Sequence, residues 1–243
     1  VWSGYLQRGM DRAMATGAGL LIIELNTPGG SVDLMNSLVQ QILASPVPVV
    51  VYVAPRGAMA ASAGTLLVLS GHLAVMAPES TIGAASPVGM QGEDIESTLE
   101  EKTKEILKAS ARSLAARRGA DAVKLAEESI ENARAANSAE ALQAGLIDYI
   151  ARDTEDLLAQ IDGSKVLMNG NEVVIRSKGA VLVPVNTTMI EAVLGLLTNP
   201  NIVFLLLSIG VQAILIEISS PGGWVAGFTG AVLLALAIYG LGI

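Results

Sequence analysis

The chain has 243 residues, a formal net charge of −8 and no cysteine. This acidic balance argues against nucleic acid as a partner, because binding phosphates requires a basic face. Without cysteine and with a single histidine, disulfides, thiol catalysis and metal sites built from thiolates or several histidines are excluded.

The composition indicates a soluble domain joined to a membrane segment. Hydrophobic residues make up 51% of the chain and charged residues 16%, whereas an ordinary soluble domain is less apolar and carries about 25% charged residues. The excess of apolar residues lies at the C-terminus. Because the sequence begins at Val1 without an initiator methionine, we expect a trimmed or processed N-terminus.

The first part of the chain alternates between helices and strands. Apolar positions at helical spacing predict an amphipathic helix over residues 1–16. Apolar runs predict buried strands at Leu20–Leu25 and Val47–Val53. A helical pattern begins at Ala60, and a short strand follows at Leu73–Ala77. This order implies parallel βαβ units and an α/β fold built in layers.

The rest of this domain is predicted to be mostly helical. Residues 83–92 are rich in Gly, Ala, Ser and Pro, and we interpret them as a loop over a cleft. The charged sequence after this loop predicts one long helix over residues 93–118. A strand at Leu146–Ile150 and a helix at Thr154–Ile161 complete a domain that we assign to residues 1–162.

The remaining residues predict a small linker and a membrane region. The alternating sequence around Asn169-Gly-Asn171 indicates a β-hairpin, so we assign a linker to residues 163–185. Residues 186–243 contain an apolar helix at Met189–Leu197, interpreted as interfacial, and about two transmembrane helices, of which we expect the second to be cut short. This region has no Lys or Arg, so the positive-inside rule sets no orientation.

Ser62 lies among small residues, in Ala60-Ala-Ser-Ala-Gly-Thr65, near the junction of a strand and a helix. On this stretch alone, a serine in a buried alanine-rich helix is the simpler interpretation. A nucleophilic hydroxyl would benefit there from backbone N–H groups and the positive end of the helix. Pro28-Gly29-Gly30 follows the preceding strand, and its glycines leave their N–H groups uncovered. The N–H groups of Gly30 and Ala63 are therefore candidates for binding the oxyanion of an acyl transfer by Ser62.

The residue that would accept the Ser62 proton is left open by the sequence. His72 lies at the far end of the same short helix and points away, so we expect a structural role for it and no Ser-His-Asp triad. A lysine is the alternative, provided that burial lowers its pKa enough for the neutral amine to accept a proton. The candidates are Lys102, nearest the loop, Lys104, which projects to nearly the opposite side, and Lys108.

Four motifs in combination resemble the NfeD membrane-bound serine proteases, which are relatives of signal peptide peptidase A in the ClpP/crotonase superfamily. They are Asn26-Thr-Pro-Gly-Gly-Ser31, Ala60-Ala-Ser-Ala-Gly-Thr65, His72-Leu-Ala-Val-Met-Ala-Pro78 and Ser80-Thr-Ile-Gly-Ala84. The resemblance continues through Glu140-Ala-Leu-Gln-Ala-Gly-Leu-Ile-Asp148 and the apolar C-terminal region, so it covers essentially the whole chain. It implies a ClpP/crotonase-like layered βαβ domain, a small β linker and C-terminal transmembrane helices.

The resemblance also implies a serine endopeptidase with a Ser-Lys dyad and no metal or other cofactor. Ser62 corresponds to the nucleophile of the family, Lys102 to its lysine, and Gly30 and Ala63 to its oxyanion donors. The family cleaves hydrophobic segments, in some members those of stomatin-like (SPFH) membrane proteins. The resemblance further implies a multi-pass protein of the cell membrane with an extracytoplasmic protease domain, assembled as a homodimer or a larger homo-oligomer.

Two other functions fit the sequence less well. One is a non-catalytic membrane scaffold that binds an SPFH partner. The other is a crotonase-type acyl-CoA enzyme, which would keep the Gly-Gly turn but would need neither the lysine nor the membrane tail. For the protease, we expect an apolar cleft lined by residues such as Met59 and Leu66 and by the loop around Val88 and Met90.

Overall fold

A computed structural model describes residues 1–87, 97–168, 170–219 and 223–241. Two compact units are present, one formed by residues 2–183 and the other by residues 184–243 together with Val1. The first unit contains α1 (Trp2–Thr16), β1 (Leu21–Leu25), α2 (Val32–Leu43), β2 (Val49–Val53), β3 (Met59–Ala61), α3 (Ala63–Ser70), β4 (Leu73–Met76), β5 (Thr81–Gly83), α4 (Ser97–Ala115), α5 (Ala120–Glu131), β6 (Ala135–Asn137), α6 (Ser138–Gln143), β7 (Tyr149–Ile150), α7 (Thr154–Ile161), β8 (Lys165–Met168) and β9 (Asn171–Val174). A 3₁₀ turn, Ala116–Arg118, follows α4.

A four-stranded parallel sheet in the order β1-β2-β4-β7 forms the centre of the first unit. Leu21 pairs with Val49 and Val50 pairs with Leu73. All five residues of β2 are buried, as expected for a parallel strand covered on both faces. The predicted α/β fold is confirmed, and the four strands of this sheet lie at the predicted runs.

Alternate residues of β2 pack into two separate apolar clusters. Val49, Val51 and Val53 face the cluster that includes residues of α1, α2, α3, α4 and α5. Val50 and Tyr52 face the opposite cluster, which α7 and the β8–β9 hairpin cover. This alternation follows from the two-residue period of a strand, and it holds α3, the helix that begins beside Ser62, against one face of the sheet.

A second, three-stranded sheet in the order β3-β5-β6 was missed in the sequence. The helical pattern predicted from Ala60 is wrong for its first residues, because Ala60 and Ala61 are in β3 and pair with Ile82 and Gly83. Each strand has three residues, mostly small ones, so alternating apolar and polar positions give no usable signal. This sheet carries the backbone immediately before Ser62.

The long predicted helix is confirmed in part. Within the described part of the chain, α4 begins at Ser97, and residues 93–96 of the prediction lie outside the described residues. Its buried positions are Leu107, Ala111 and Ala115, all in its C-terminal half. Just after α4, the buried Arg118 side chain donates a hydrogen bond of 2.7 Å to Asp148, which also accepts the Ala74 N–H of β4. The C-terminal end of α4 is thereby tied to the central sheet.

The second unit contains α8 (Met189–Leu197), α9 (Pro200–Ser219) and α10 (Val225–Leu241). Within it, α9 and α10 pack closely at two glycines, since a Cβ atom added at Gly230 would lie 2.8 Å from the Gly210 carbonyl oxygen. Glu217 of α9 accepts the backbone N–H of Trp224 at 3.0 Å, at the start of α10. Among the described residues, Asn201–Ser219 is one helix long and apolar enough to cross a membrane, and Val225–Leu241 is a shorter apolar helix.

Candidate active site

Ser62 occupies a strained turn between β3 and α3. Its backbone angles are φ 53° and ψ −122°, a conformation that residues other than glycine adopt only when their surroundings impose it. The Ser62 N–H donates to the Gly83 carbonyl oxygen at 2.9 Å, and the Ser62 carbonyl oxygen accepts the Thr65 N–H at 3.0 Å. The turn is therefore held on both sides of the serine.

The Pro28-Gly29-Gly30 turn lies directly against Ser62. The Ala61 N–H donates to the Thr27 carbonyl oxygen at 3.1 Å, so the turn is bonded to the strand that precedes Ser62. Gly29 has φ 138°, and a Cβ atom added there would lie 2.8 Å from the Ser62 Cβ and 3.2 Å from its Oγ. Only glycine fits at this position, both for its backbone angle and for the space beside the serine.

The backbone N–H groups of Gly30 and Ala63 are the two oxyanion donors expected from the sequence. Neither N–H has a hydrogen-bond acceptor among the residues that the structure describes. Ala63 is the first residue of α3, where helix N–H groups lack intrahelical partners and the helix dipole favours negative charge. Both donors are thus available to an anionic oxygen of a bound substrate.

A cavity of about 80 Å³ opens beside Ser62 and brings Gly30, Ser62 and Ala63 together. Its other walls are apolar side chains and small residues, contributed by α2, α3, α4 and the segment after β5. They are Val32, Met35, Leu66, Ala85, Pro87 and Leu107. Of the cleft residues expected from the sequence, Leu66 lines this cavity, whereas Met59 is 42% exposed and is not part of the lining. Val88 and Met90 lie outside the described residues.

Lys102 does not line the cavity. Its side chain is exposed and, within the described ranges, has neither a hydrogen bond nor an ion pair. Leu107, which does line the cavity, lies five residues later on α4, and five residues correspond to a rotation of about 140° around a helix axis. The structure therefore brings together Ser62, Gly30 and Ala63, but it leaves Lys102 on another face of α4.

Lys104 and Lys108 are engaged in ion pairs. The Lys104 Nζ lies 2.7 Å from a Glu100 oxygen, and the Lys108 Nζ lies 2.8 Å from Glu131 and 2.9 Å from Glu105. The hydrogen bond to Glu100 raises the pKa of Lys104. The hydrogen bonds to Glu131 and Glu105 raise the pKa of Lys108. A raised pKa keeps the amine protonated at neutral pH, which is the opposite of what a base requires.

His72 has a structural contact at the far end of α3. Its Nδ1 accepts the Val49 N–H at 3.1 Å, which ties the segment just after α3 to the start of β2. Burial, and to a smaller extent the positive charge of Arg117, lowers the pKa of His72. The imidazole therefore favours its neutral form, in which Nδ1 is free to accept this bond.

Thr65 and Gly83, which hold the Ser62 turn, were given no role in the sequence analysis. Both touch the Ser62 turn, through the Thr65 N–H and the Gly83 carbonyl oxygen. Thr65 is a hydroxyl residue immediately before the apolar segment Leu66–Leu69, which was the available signal. Gly83 belongs to the short second sheet, whose strands gave no signal.

Comparison with known proteins identifies the family of the chain. The NfeD1b N-terminal domain matches residues 1–169, and the NfeD integral membrane domain matches residues 201–243. A membrane-bound protease of Pyrococcus horikoshii is 37% identical over 230 residues, which is 93% of this chain and 52% of that protein. The chain thus spans about half the length of this curated relative.

Two solved structures of a membrane-bound stomatin-specific protease are also similar. One is a lysine-to-alanine mutant in complex with a substrate peptide, with a TM-score of 0.71 and 33% identity over 79% of this chain and 88% of that one. The other is a serine-to-alanine mutant, with a TM-score of 0.68 and 36% identity over 75% of this chain and 90% of that one.

The two family matches together cover most of both units of the chain. The N-terminal match includes every residue of the candidate site, and the C-terminal match includes α10 and nearly all of α9. The chain belongs to the NfeD1b family and carries an NfeD integral membrane domain.

Proposed function

We propose that this chain is a membrane-anchored serine endopeptidase that uses Ser62 as nucleophile and Lys102 as base. Its substrates are hydrophobic segments of membrane-associated proteins of the stomatin (SPFH) class. The observation that carries the proposal is the strained Ser62 turn beside an apolar cavity, with the Gly30 and Ala63 N–H groups free to bind an oxyanion. The similar proteins support it, since one is a membrane-bound protease and another is a membrane-bound stomatin-specific protease.

The reaction follows from the roles of these groups. The Ser62 Oγ attacks the carbonyl carbon of the peptide bond while the neutral Lys102 amine takes its proton. The Gly30 and Ala63 N–H groups stabilise the oxyanion of the tetrahedral intermediate. The Lys102 ammonium then donates its proton to the leaving amine as the peptide bond breaks. Water, deprotonated by the same amine, hydrolyses the acyl-enzyme and restores Ser62.

Lys102 is the best candidate of the three lysines, although spacing alone does not select it. The serine and lysine substituted in the two solved mutants are 41 positions apart in their own chain. In this chain Lys102 follows Ser62 by 40 positions and Lys104 by 42. Lys104 and Lys108 are bound to carboxylates, whereas Lys102 has no ion-pair partner among the described residues. Catalysis then requires the N-terminal part of α4 to bring Lys102 to Ser62 when substrate binds.

We also propose that two or more copies of the chain assemble. Leu99 and Ile106, three residues before and four residues after Lys102, are 56% and 67% exposed. Residues at these spacings share one face of a helix, so Lys102 lies between two exposed apolar side chains. Contact with a second copy on this face would remove both from water. Sedimentation of the detergent-solubilised protein tests this, and a monomer at all concentrations contradicts it.

The domain assignment made from the sequence is retained as part of the proposal. Residues 1–162 form the protease domain, residues 163–185 the hairpin linker and residues 186–243 the membrane region.

The apolar α9 and α10 helices support a multi-pass protein of the cell membrane. We place the protease domain outside the cytosol, and its accessibility to added protease in intact cells tests that orientation.

The test of the function is cleavage of an apolar peptide whose sequence is taken from the C-terminal region of a stomatin-like protein. We expect Ser62→Ala and Lys102→Ala each to lower kcat/KM by about 10⁴-fold or more, because members of a catalytic unit do not substitute for one another. The matched controls are Lys104→Ala and Lys108→Ala on the same helix, for which we expect losses of less than about fivefold. The wild-type rate should rise with pH as the lysine base becomes neutral.

The exposed position of Lys102 also favours a second candidate, a non-catalytic scaffold that binds an SPFH partner. If wild type, Ser62→Ala and Lys102→Ala bind the peptide equally and none cleaves it, the scaffold replaces the protease. If Lys104→Ala is inactive and Lys102→Ala is active, the protease stands with Lys104 as its base.

A further inference from the structure

We propose that Thr65 is a positioning residue that holds Ser62 in its strained conformation through the backbone of Gly83. The proposal rests on the proposed function, since it concerns the geometry of the nucleophile. Thr65 lies three residues after Ser62 in the first turn of α3, and it is 1% exposed. It does not line the cavity, so its action on the reaction is through Ser62.

The Thr65 hydroxyl joins three separate segments of the fold. Its Oγ1 lies 3.0 Å from the Ala60 carbonyl oxygen of β3 and 3.2 Å from the Gly83 carbonyl oxygen of β5, and it donates its single proton to one of these two acceptors. The Thr65 Oγ1 also accepts the Gly83 N–H of β5 at 3.1 Å. One side chain of α3 thus binds the end of β3, which leads into Ser62, and the end of β5, which lies beside it.

Gly83 transmits this contact to the nucleophile. Its carbonyl oxygen accepts the Ser62 N–H at 2.9 Å, while its own N–H is bound to Thr65. Gly83 has φ 119°, and a Cβ atom there would collide with the backbone of Arg134 and Ala135. The Ala84 N–H donates to the Arg134 carbonyl oxygen at 2.9 Å. Gly83 is thus fixed on one side by the β6 segment and on the other by Thr65.

The backbone of Ser62 needs such support. Its φ of 53° is unfavourable for a residue with a Cβ atom, so the serine stays in this conformation only while neighbouring groups impose it. Because the β3–β5 ladder already pairs Ala61 with Gly83, loss of the Thr65 hydroxyl would remove an additional buried contact of the Gly83 N–H and the Ala60 carbonyl oxygen rather than their only one. The end of β5 would then be held less tightly, and the Ser62 N–H, which donates to the Gly83 carbonyl oxygen, would move more freely with it.

The buried serines Ser70, Ser80 and Ser129 of this unit each donate to a carbonyl oxygen three residues earlier. Ser70, at the opposite end of α3, donates to the Leu67 carbonyl oxygen at 2.7 Å and is 1% exposed. Its loss would remove a buried hydrogen bond of the same helix without touching either strand beside Ser62. Ser70→Ala is therefore the matched control for Thr65.

The test compares Thr65→Val, Thr65→Ser and Ser70→Ala in the full chain. The first readout is the rate at which a fluorophosphonate probe acylates Ser62, and the second is hydrogen exchange of the Ser62 and Gly83 amides. We expect Thr65→Val to slow acylation by about 100-fold, the loss that a displacement of about 1 Å produces, and to accelerate exchange of both amides. Thr65→Ser restores both readouts, because it keeps the hydroxyl, and Ser70→Ala leaves both near wild type.

The two readouts separate failure of this proposal from failure of the function. If the probe labels wild type and Thr65→Val at rates within about threefold, with equal amide exchange, the positioning role is overturned. If Thr65→Ser is as slow as Thr65→Val, the methyl group acts by packing and the proposal is also overturned. If the probe does not label wild-type Ser62, the proposed function fails, and amide exchange alone decides whether Thr65 holds the turn. Should Thr65→Val not fold, Thr65→Ala replaces it in both readouts.

Discussion

The two halves of the candidate site differ in how far the fold prepares them. On one side, Ser62 lies between β3 and α3, Ala63 begins α3, and Gly30 lies in the turn before α2. Backbone hydrogen bonds hold Ser62 to Gly83 and join Thr27, at the start of that turn, to Ala61. On the other side, the three lysines lie on α4, whose buried positions begin only at Leu107 among its described residues. The proposed nucleophile lies directly between a strand and a helix, whereas the proposed base lies on α4, whose buried residues are in its C-terminal half.

This difference indicates that Ser62 and Lys102, the proposed nucleophile and base, are positioned by different interactions. The Ser62 turn is fixed by backbone geometry, so substitutions that change backbone space should act strongly on it. The position of Lys102 depends on which face of α4 meets the site, so substitutions on the two faces of α4 should have opposite outcomes. The predictions below test the two halves in turn.

The largest effect is expected for Gly29→Ala. Its new Cβ atom would lie 2.8 Å from the Ser62 Cβ, closer than two such atoms approach, and at φ 138° an alanine is strained. We expect kcat/KM to fall by about 100-fold or more and the free energy of unfolding by about 2–3 kcal/mol. Peptide cleavage and denaturant unfolding measure the two.

The adjacent Gly30→Ala is the control for stability. A Cβ atom at Gly30 meets nothing within 4 Å, so its unfolding free energy should stay within about 1 kcal/mol of wild type. If Gly29→Ala and wild type had equal unfolding free energy and equal activity, the turn would not lie against Ser62. The conclusion that the fold fixes the Ser62 side of the site would then be wrong.

A smaller effect is expected for substitution of Leu107. This substitution tests which face of α4 lines the site. Leu107 is 6% exposed and lines the cavity beside Ser62, whereas its neighbour Ile106 is 67% exposed. Leu107→Ala enlarges the cavity, so we expect cleavage after a bulky aromatic residue to gain about tenfold relative to cleavage after valine. Paired peptides that differ at this one residue measure the ratio of kcat/KM.

Ile106→Ala is the matched control, with the same loss of apolar volume on the other face. We expect its preference between the two peptides to equal that of wild type. The reverse result, with a changed preference for Ile106→Ala only, would mean that α4 presents its other face to the substrate. Lys102, four residues before Ile106, would then lie at the site without any rearrangement.

The sequence predicted the elements that long apolar runs encode and missed those that three-residue strands encode. The run at Val49–Val53 has the composition of a buried parallel strand, so β2 was identified, whereas β3 contains two alanines that equally suit a helix. Ser62, Gly30 and Ala63 were predicted to lie together because a Pro-Gly-Gly turn and a small-residue serine turn follow consecutive strands, and the three residues do line one cavity. Thr65 and Gly83 were missed because their contacts join segments far apart in sequence, which single-sequence patterns do not report.

The smallest effect is expected from His72, and it separates the pH dependence of folding from that of catalysis. Burial lowers the pKa of His72 below its ordinary value of 6.5, so the unfolded chain binds this proton more readily than the folded chain. The free energy of unfolding should therefore decrease as the pH falls below about 6.5. Protonation of Nδ1 would also break the bond from the Val49 N–H.

His72→Asn keeps an acceptor for Val49 but does not titrate, so its Tm should change less than that of wild type between about pH 7.5 and pH 5.5. Scanning calorimetry measures the difference, and parallel slopes would contradict it. Because His72 is the one histidine of the chain, peptide cleavage by the same variant tests the base directly. A lysine base predicts that the rise of cleavage rate with pH persists in His72→Asn. Loss of that rise would transfer the role of base to the imidazole and remove Lys102 from the mechanism.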